Sequence, residues 1–263
     1  VSVLVASDAP GQAAAGTDLS GSAAVDRSPL GRSPLLWASL RQILRDGQGS
    51  HPDAPRVLDC GGGSGSLAVP LAAHGAVVTV VDVSIDALAT LMRRAAEAGV
   101  SDRVTAVQGE AESLAELAPA DAFDLVLAHD VLEDVGNPVL VLRQIAGVLR
   151  PGGVLSVVVA NPVAGVLARV LAGDLAGALS AYHRPAQHAH DAESLAAQCL
   201  AAGLRVRSVE GLDVFTDLVP GIELDRPGAI AALSELESAV AGQSPYRDIA
   251  SRLHIQAHRP DAG

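Results

Sequence analysis

Val57-Leu58-Asp59-Cys60-Gly61-Gly62-Gly63-Ser64-Gly65 is the stretch that decides how this sequence is read. A short apolar run stops at an acid, glycines alternate after it, and a helical pattern starts at Leu67. The pattern is that of a strand, a tight turn and a helix at the start of an α/β nucleotide-binding sheet. Glycine lets the backbone turn sharply and approach a ligand without a Cβ in the way. The turn then aims free N–H groups and a helix N-terminus at whatever lies above it.

Outward from this turn, strand and helix alternate. Residues 77–81 form a β-branched run ending at Asp82, and Ser84 is placed to cap a helix buried through Leu88, Leu91, Met92 and Ala95. Further strands are predicted over 104–107, over 123–128 (ending near His129) and over 154–160 after the break Pro151-Gly152-Gly153. A helix carrying Val139, Leu142, Ile145, Val148 and Leu149 lies between the last two, and another over 34–45 leads into the sheet. Alternation of this kind predicts a mostly parallel sheet covered by helices on both faces, with ligands at the C-terminal ends of the strands. Asp59, Asp82, the turn after Val107 and His129 all fall at those ends.

After Asn161 the pattern changes. Residues 162–189 read as an apolar segment followed by a loop, Tyr182-His183-Arg184-Pro185. A helix is expected over 192–202 and closing strands over 204–209 and 253–257. In the last strand Leu253, Ile255 and Ala257 alternate with His254, Gln256 and His258. Residues 214–250 form an insertion with a helix on Ile230, Leu233, Leu236 and Val240. Residues 1–26 have no period and read as a poorly ordered tail, leaving 27–263 as one domain.

All eighteen basic residues are arginine, and the net charge is −12. That charge excludes broad electrostatic capture of nucleic acid, which needs clustered cations. Cys60 and Cys199 have neither paired nor metal-ligand spacing, and Cys60 reads as a small buried thiol. Few cysteines suit a reducing, cytoplasmic setting. The apolar stretch 154–168 is interrupted by Asn161-Pro162, so no membrane span is expected. His183, His188, His190 and Asp191 sit in a loop without the supporting groups of a metal centre, and no metal is expected. Trp37 reads as a packing residue, and nothing in the sequence sets an oligomeric state.

Together, Asp59-x-Gly61-x-Gly63-x-Gly65, Asp82, Asp124 with His129, and Leu149-Arg150-Pro151-Gly152-Gly153 resemble the class I S-adenosylmethionine-dependent methyltransferases. A dinucleotide enzyme would carry a third glycine or alanine where Ser66 stands. Gly99-Val100-Ser101-Asp102, His129-x-Val131-Leu132-Glu133, Val214-Phe215-x-Asp217 and the ending Leu236-Glu237…Pro245-Tyr246…His254-Ile255 are similar to bacterial tRNA carboxyl methyltransferases, which act on 5-carboxymethoxyuridine. The resemblance implies a Rossmann-like, mostly parallel seven-stranded sheet, with 162–189 and 214–250 as a substrate lid. It implies S-adenosylmethionine as cofactor. Arg32 would meet the methionine carboxylate, and Asp59, Gly61, Gly62 and Gly63 would form the turn around the ligand. Asp82 and Val83 would lie at the ribose, Ala111 and Glu112 at the adenine, and His129 beside the cofactor, where it is also the candidate base.

Two positions depart from the tRNA family. Asp213 stands where that family has an arginine, and around 181–189 only Arg184 and histidines replace a lysine-rich insertion. Replacement cations would have to come from Arg205, Arg207 or Arg247. The acceptor is then either tRNA or a small molecule methylated on O or N, and a SAM-binding protein without catalysis is a third reading.

Overall fold

The structure, a computed structural model, describes residues 3–4, 33–48, 54–185 and 189–261. Its strands are β1 (Val3–Leu4), β2 (Arg56–Cys60), β3 (Val77–Asp82), β4 (Val104–Gln108), β5 (Phe123–His129), β6 (Leu149–Ala160), β7 (Arg205–Leu212) and β8 (Arg252–His258). They form one sheet in the order β1-β4-β3-β2-β5-β6-β8-β7. The five strands from β4 to β6 run parallel. β8 enters antiparallel between β6 and β7. The seven strands from Arg56 onward match the expected mostly parallel sheet. The short β1 adds an antiparallel edge beside β4, within the stretch read as a tail.

The helices are α1 (Pro34–Gln48), α2 (Ala68–Ala73), α3 (Ile85–Glu97), α4 (Leu114–Leu117), α5 (Pro138–Val148), α6 (Pro162–Leu171), α7 (Leu175–His183), α8 (Ala192–Ala201), α9 (Gly221–Leu224) and α10 (Ala229–Val240). One face of the sheet packs Val57, Val78, Val80 and Leu125 against Leu36, Leu40, Leu71, Leu88 and Leu91 of α1–α3. The other packs Leu58, Val126, Leu155 and Ile255 against Leu114, Leu142, Ile145 and Leu195 of α4, α5 and α8. Successive residues of a strand point to opposite faces, so each strand feeds both layers. Every fully buried leucine among these contributes about 1.5–3 kcal/mol of transfer free energy.

Local chemistry sets the helix starts. Ser84 accepts from Ala87 N at 3.2 Å, Asn137 from Leu140 N at 3.1 Å, and Asp191 exchanges bonds with Ser194 in a capping box. At the N-terminal ends of the parallel strands, Asp124 accepts from Arg56 N at 2.6 Å and pairs with Arg150 at 2.7 Å, joining β2, β5 and β6.

Several expectations need correction. β6 begins at Leu149 rather than 154, and its register against β5 shifts between Phe123 and Leu125, which accommodates Pro151-Gly152. Tyr182 and His183 close α7 instead of lying in a loop. Val141 takes the buried position on α5 predicted for Val139. His254 is fully enclosed, although alternation put it on a polar face. Trp37 is half-buried against the core, as expected of a packing residue. No helix among the described residues is long and apolar enough to cross a membrane.

The insertion between β7 and β8 is tied down by one carboxylate. Glu237 of α10, 7% exposed, accepts from the N–H groups of Val214, Phe215 and Thr216 at 2.8–2.9 Å and from the Thr216 hydroxyl at 3.0 Å. Removing it leaves those donors without their acceptor. Glu237→Ala is expected to lower unfolding stability by about 3 kcal/mol, and Glu237→Gln by less, since an amide oxygen still accepts. Denaturant titration of the two variants measures both losses.

Candidate functional site

The site grows from the place where the sheet changes direction. β2 has β3 on one side and β5 on the other, so the chain leaves it by crossovers of opposite sense and a crevice opens above its C-terminal end. The glycine turn fills the floor of that crevice. Gly61 has φ +74° and its N–H bonds Val81 O at 2.7 Å. A Cβ there would stand 2.4 Å from Cγ2 of Val131, so the turn and the loop after β5 touch only because the residue is glycine.

Asp82 holds the turn from the next strand. Its Oδ2 accepts from Gly63 N at 2.9 Å and its Oδ1 from Ser84 N at 2.8 Å. Each oxygen keeps a lone pair for a ligand hydroxyl. A cavity of about 460 Å³ opens beside it, lined among others by Gly61, Asp82, Val83, Glu110, Ala111, Glu112, Asp130 and Asp134. Val83 is exposed at its mouth, and Glu112 braces the wall by accepting from Gly136 N at 3.0 Å.

A second cavity, about 310 Å³, lies over the turn and is lined by Asp59, Gly61, Gly62, Gly63, Ser64, Ser66, Leu67, His129 and Asp130. Asp59 is 3% exposed and lies under Gly62, where an added Cβ would be 2.4 Å from its carboxyl carbon. Burial, and then the neighbouring Asp82, push its carboxyl up to about 7. Cys60 beside it is a buried free thiol pushed up to about 12 by burial and the same acids, so it is inert at neutral pH.

His129 is buried at the end of β5. Its Nε2 meets Ser156 Oγ at 2.8 Å, and the same hydroxyl meets His254 Nε2 at 2.9 Å. Glu210 lies 3.6 Å from His254 Nδ1, beyond hydrogen-bond reach. Nδ1 of His129 is enclosed without a partner. Burial, then His254 and Arg252, lower the ring to about 3. A ring so placed stays neutral, with a proton on one nitrogen only, and takes up a second with difficulty, which opposes the base role expected for it. Neither Ser156 nor His254 was singled out as a site residue from sequence; for Ser156 the signal was a serine inside the apolar run 154–159, since buried polar groups need partners.

Asp130, next to His129, lines both cavities. Its backbone has φ +55°, and Arg252 at the start of β8 forms an ion pair with it. Arg252 was not singled out from sequence. Asp213, at φ +57°, is raised to about 6 by burial and by Asp217 and Glu237, with Arg252 opposing. The other cations considered do not reach the crevice. Arg207 lines a cavity with Asp124 and Arg150 at the opposite edge of the sheet, and Arg247 pairs with Asp248. Arg32 and His188 lie outside the described residues. His190, expected in an exposed loop, is buried against Leu132 O and Gln198. Asp191 is engaged as a helix cap.

The two cavities thus carry Asp59, Asp82, Glu110, Glu112, Asp130 and Asp134 and, among the described residues, no arginine. Such a lining suits a ligand of net positive charge that also offers hydroxyls, which S-adenosylmethionine is: its sulfonium and ammonium outweigh its carboxylate.

Comparison with known proteins agrees. Residues 58–157 match the family described as "Methyltransferase domain". The tRNA 5-carboxymethoxyuridine methyltransferase of Escherichia coli (strain K12) is 30% identical over 237 residues, covering 88% of this chain and 89% of that protein. The ubiquinone biosynthesis O-methyltransferase of Caulobacter sp. (strain K31) is 38% identical over 135 residues, 51% of this chain and 52% of the relative. The crystal structure of an S-adenosylmethionine-dependent methyltransferase from Mesorhizobium loti has the same fold, with TM-score 0.55 and 20% identity over 85% of this chain and 97% of that one.

The raised Asp59 has a measurable consequence. Without ligand, its proton is held natively but lost by the unfolded chain, so this group's contribution to stability declines as pH rises from 3.8 through about 7. A cationic ligand favours the ionised form. Binding of S-adenosylmethionine at pH 6 is therefore expected to release a proton, and affinity to rise with pH up to about 7 and then level off. Calorimetry in buffers of different ionisation enthalpy reads the release, and Asp59→Asn should abolish it.

Proposed function

This chain belongs to the class I S-adenosylmethionine-dependent methyltransferases, and we propose that its acceptor is a neutral or positively charged small molecule methylated on oxygen or nitrogen. The observation that carries this reading is the carboxylate lining of the crevice. Arg252, a cation close to it, is already paired with Asp130, and Asp213 stands nearby. An anionic acceptor would enter against this field, whereas an amine or a hydroxyl would enter with it.

S-Adenosylmethionine supplies a methyl group made electrophilic by its sulfonium. The protein's part is to orient and to exclude water. Asp82 takes the ribose hydroxyls on its remaining lone pairs. Val83 and Ala111 give the adenine an apolar slot, and Glu112 stiffens that wall. The Gly62 N–H and Asp59 hold the methionyl end, together with Arg32. His129 is a neutral wall of fixed orientation, held through Ser156. Residues 162–189 and 214–250 form the lid over the acceptor. The exposed apolar side chains of α6 and α7, among them Leu171, Leu175, Leu179 and Tyr182, give that lid a face suited to an apolar acceptor body.

A second reading has its own support. Similarity to the E. coli tRNA enzyme runs across the acceptor side of the chain as well as the cofactor half. On that reading the acceptor is the carboxylate of a modified wobble uridine, already a nucleophile without a base.

Titration with S-adenosylmethionine and S-adenosylhomocysteine should show binding of both by the wild type and about tenfold weaker binding by Asp82→Ala, the loss of one charge-assisted hydrogen-bond pair. Transfer of labelled methyl to a panel of phenols, amines and small carboxylic acids, run beside tRNA bearing 5-carboxymethoxyuridine, then separates the readings. Turnover of a phenol or amine with no effect of tRNA supports the proposal. Turnover of the tRNA with none of the small molecules replaces it by the second reading.

A further inference from the structure

The two cavities of the crevice meet at two residues, Gly61 and Asp130. One cavity holds the groups suited to an adenosyl moiety, Asp82, Val83 and Ala111. The other holds the groups suited to an amino-acid tail, Asp59 and the 62–63 backbone. In S-adenosylmethionine the atom that joins these moieties is the sulfur carrying the reactive methyl. A residue that borders both cavities therefore lies beside that sulfur, and of the two only Asp130 carries a side chain.

Asp130 is also built to stay where it is. Its N–H bonds Val158 O at 2.9 Å, which ties it to β6. Its left-handed backbone, φ +55°, is uncommon for a residue with a side chain and persists only where the surroundings over-determine it. Its carboxylate is gripped by Arg252, which reaches across from β8 and is 122 positions away in the chain. Among the described residues Arg252 donates to no other acceptor.

We propose that Asp130 is a catalytic residue standing against the sulfonium and the acceptor's nucleophile, with Arg252 as its positioning residue. The inference rests on the cofactor assignment above. In the reaction the acceptor's lone pair forms the new bond to the methyl carbon, and the carbon–sulfur bond breaks with its electron pair left on sulfur. Positive charge passes from sulfur to the acceptor atom, whose proton then goes to Asp130 and on to solvent. The carboxylate lies beside the charge before and after transfer.

The test needs no acceptor. S-Adenosylmethionine is charged at sulfur and S-adenosylhomocysteine is not, so the ratio of their dissociation constants reports a carboxylate at that atom. Asp130→Asn, which tolerates the left-handed backbone, should lower the preference for the sulfonium about tenfold, as expected for one nearby charge in a partly shielded site. Asp134→Asn, confined to the adenosyl cavity, should move both affinities alike. Arg252→Gln should reduce the preference by a smaller factor, and Arg252→Lys should restore part of it. An unchanged ratio in Asp130→Asn, with both ligands still bound, overturns the inference. Failure of the wild type to bind either ligand overturns the cofactor assignment first, and this inference with it.

Discussion

The position of β2 between β3 and β5 is the constraint from which the rest of the site follows. Parallel strands place their C-terminal ends on one edge, and the reversal of strand order at β2 opens that edge into a crevice. Asp82 and His129 end their strands there, Asp59 stands one residue before the end of β2, and Asp130 follows His129 directly. Backbone turns at such an edge have unsatisfied N–H groups, and here the Asp82 carboxylate satisfies Gly63 and Ser84 together. The same bond that finishes the turn fixes the acid at the wall of the crevice, so the fold of the turn and the shape of the site share one interaction.

The crevice concentrates negative charge with little to offset it. Six carboxylates line the two cavities, and the burial of Asp59 is tolerated because it can keep its proton until a cation arrives. Beneath them runs a buried hydrogen-bonded path through β5, β6 and β8, from His129 through Ser156 to His254. An ionised His129 at that depth would be expensive, and its lowered pKa reflects this. The site is therefore divided into an acid-lined surface and a buried polar interior that holds the surface in place.

What the sequence disclosed follows from the range of the interactions concerned. The glycine turn, Asp82, the Ser84 cap and the five strand–helix alternations depend on residues within a few positions of one another, and all were legible. Long-range features were not. Arg252 and Asp130 meet across 122 positions, and no local pattern announces the pair. His254 was assigned to a polar face because period-two alternation assumes a half-exposed strand, whereas β8 is paired on both edges and largely covered on both faces. The helix α7 was not read from sequence: residues 162–189 passed as an apolar segment and a loop, whereas Tyr182 and His183 belong to the helix. β6 was started late because Pro151-Gly152-Gly153 has the composition of a turn, yet a register shift carries it within the strand.

The antiparallel insertion of β8 also sets an order of assembly. Among the described residues β7 pairs with β8 alone, so although it is synthesised first it has no place in the sheet until residues 252–258 have emerged. Until then the apolar edge of β6, with Val157, Val158 and Val159, has no neighbour on that side. The parallel half from β2 to β6 can collapse early on its own helices, but the other half can close only once β8 is available to join β6 and β7 and to bring Arg252 to Asp130. The chain acquires its full binding edge only when that step is complete, and a nascent molecule stalled before it would present an open strand to its neighbours instead.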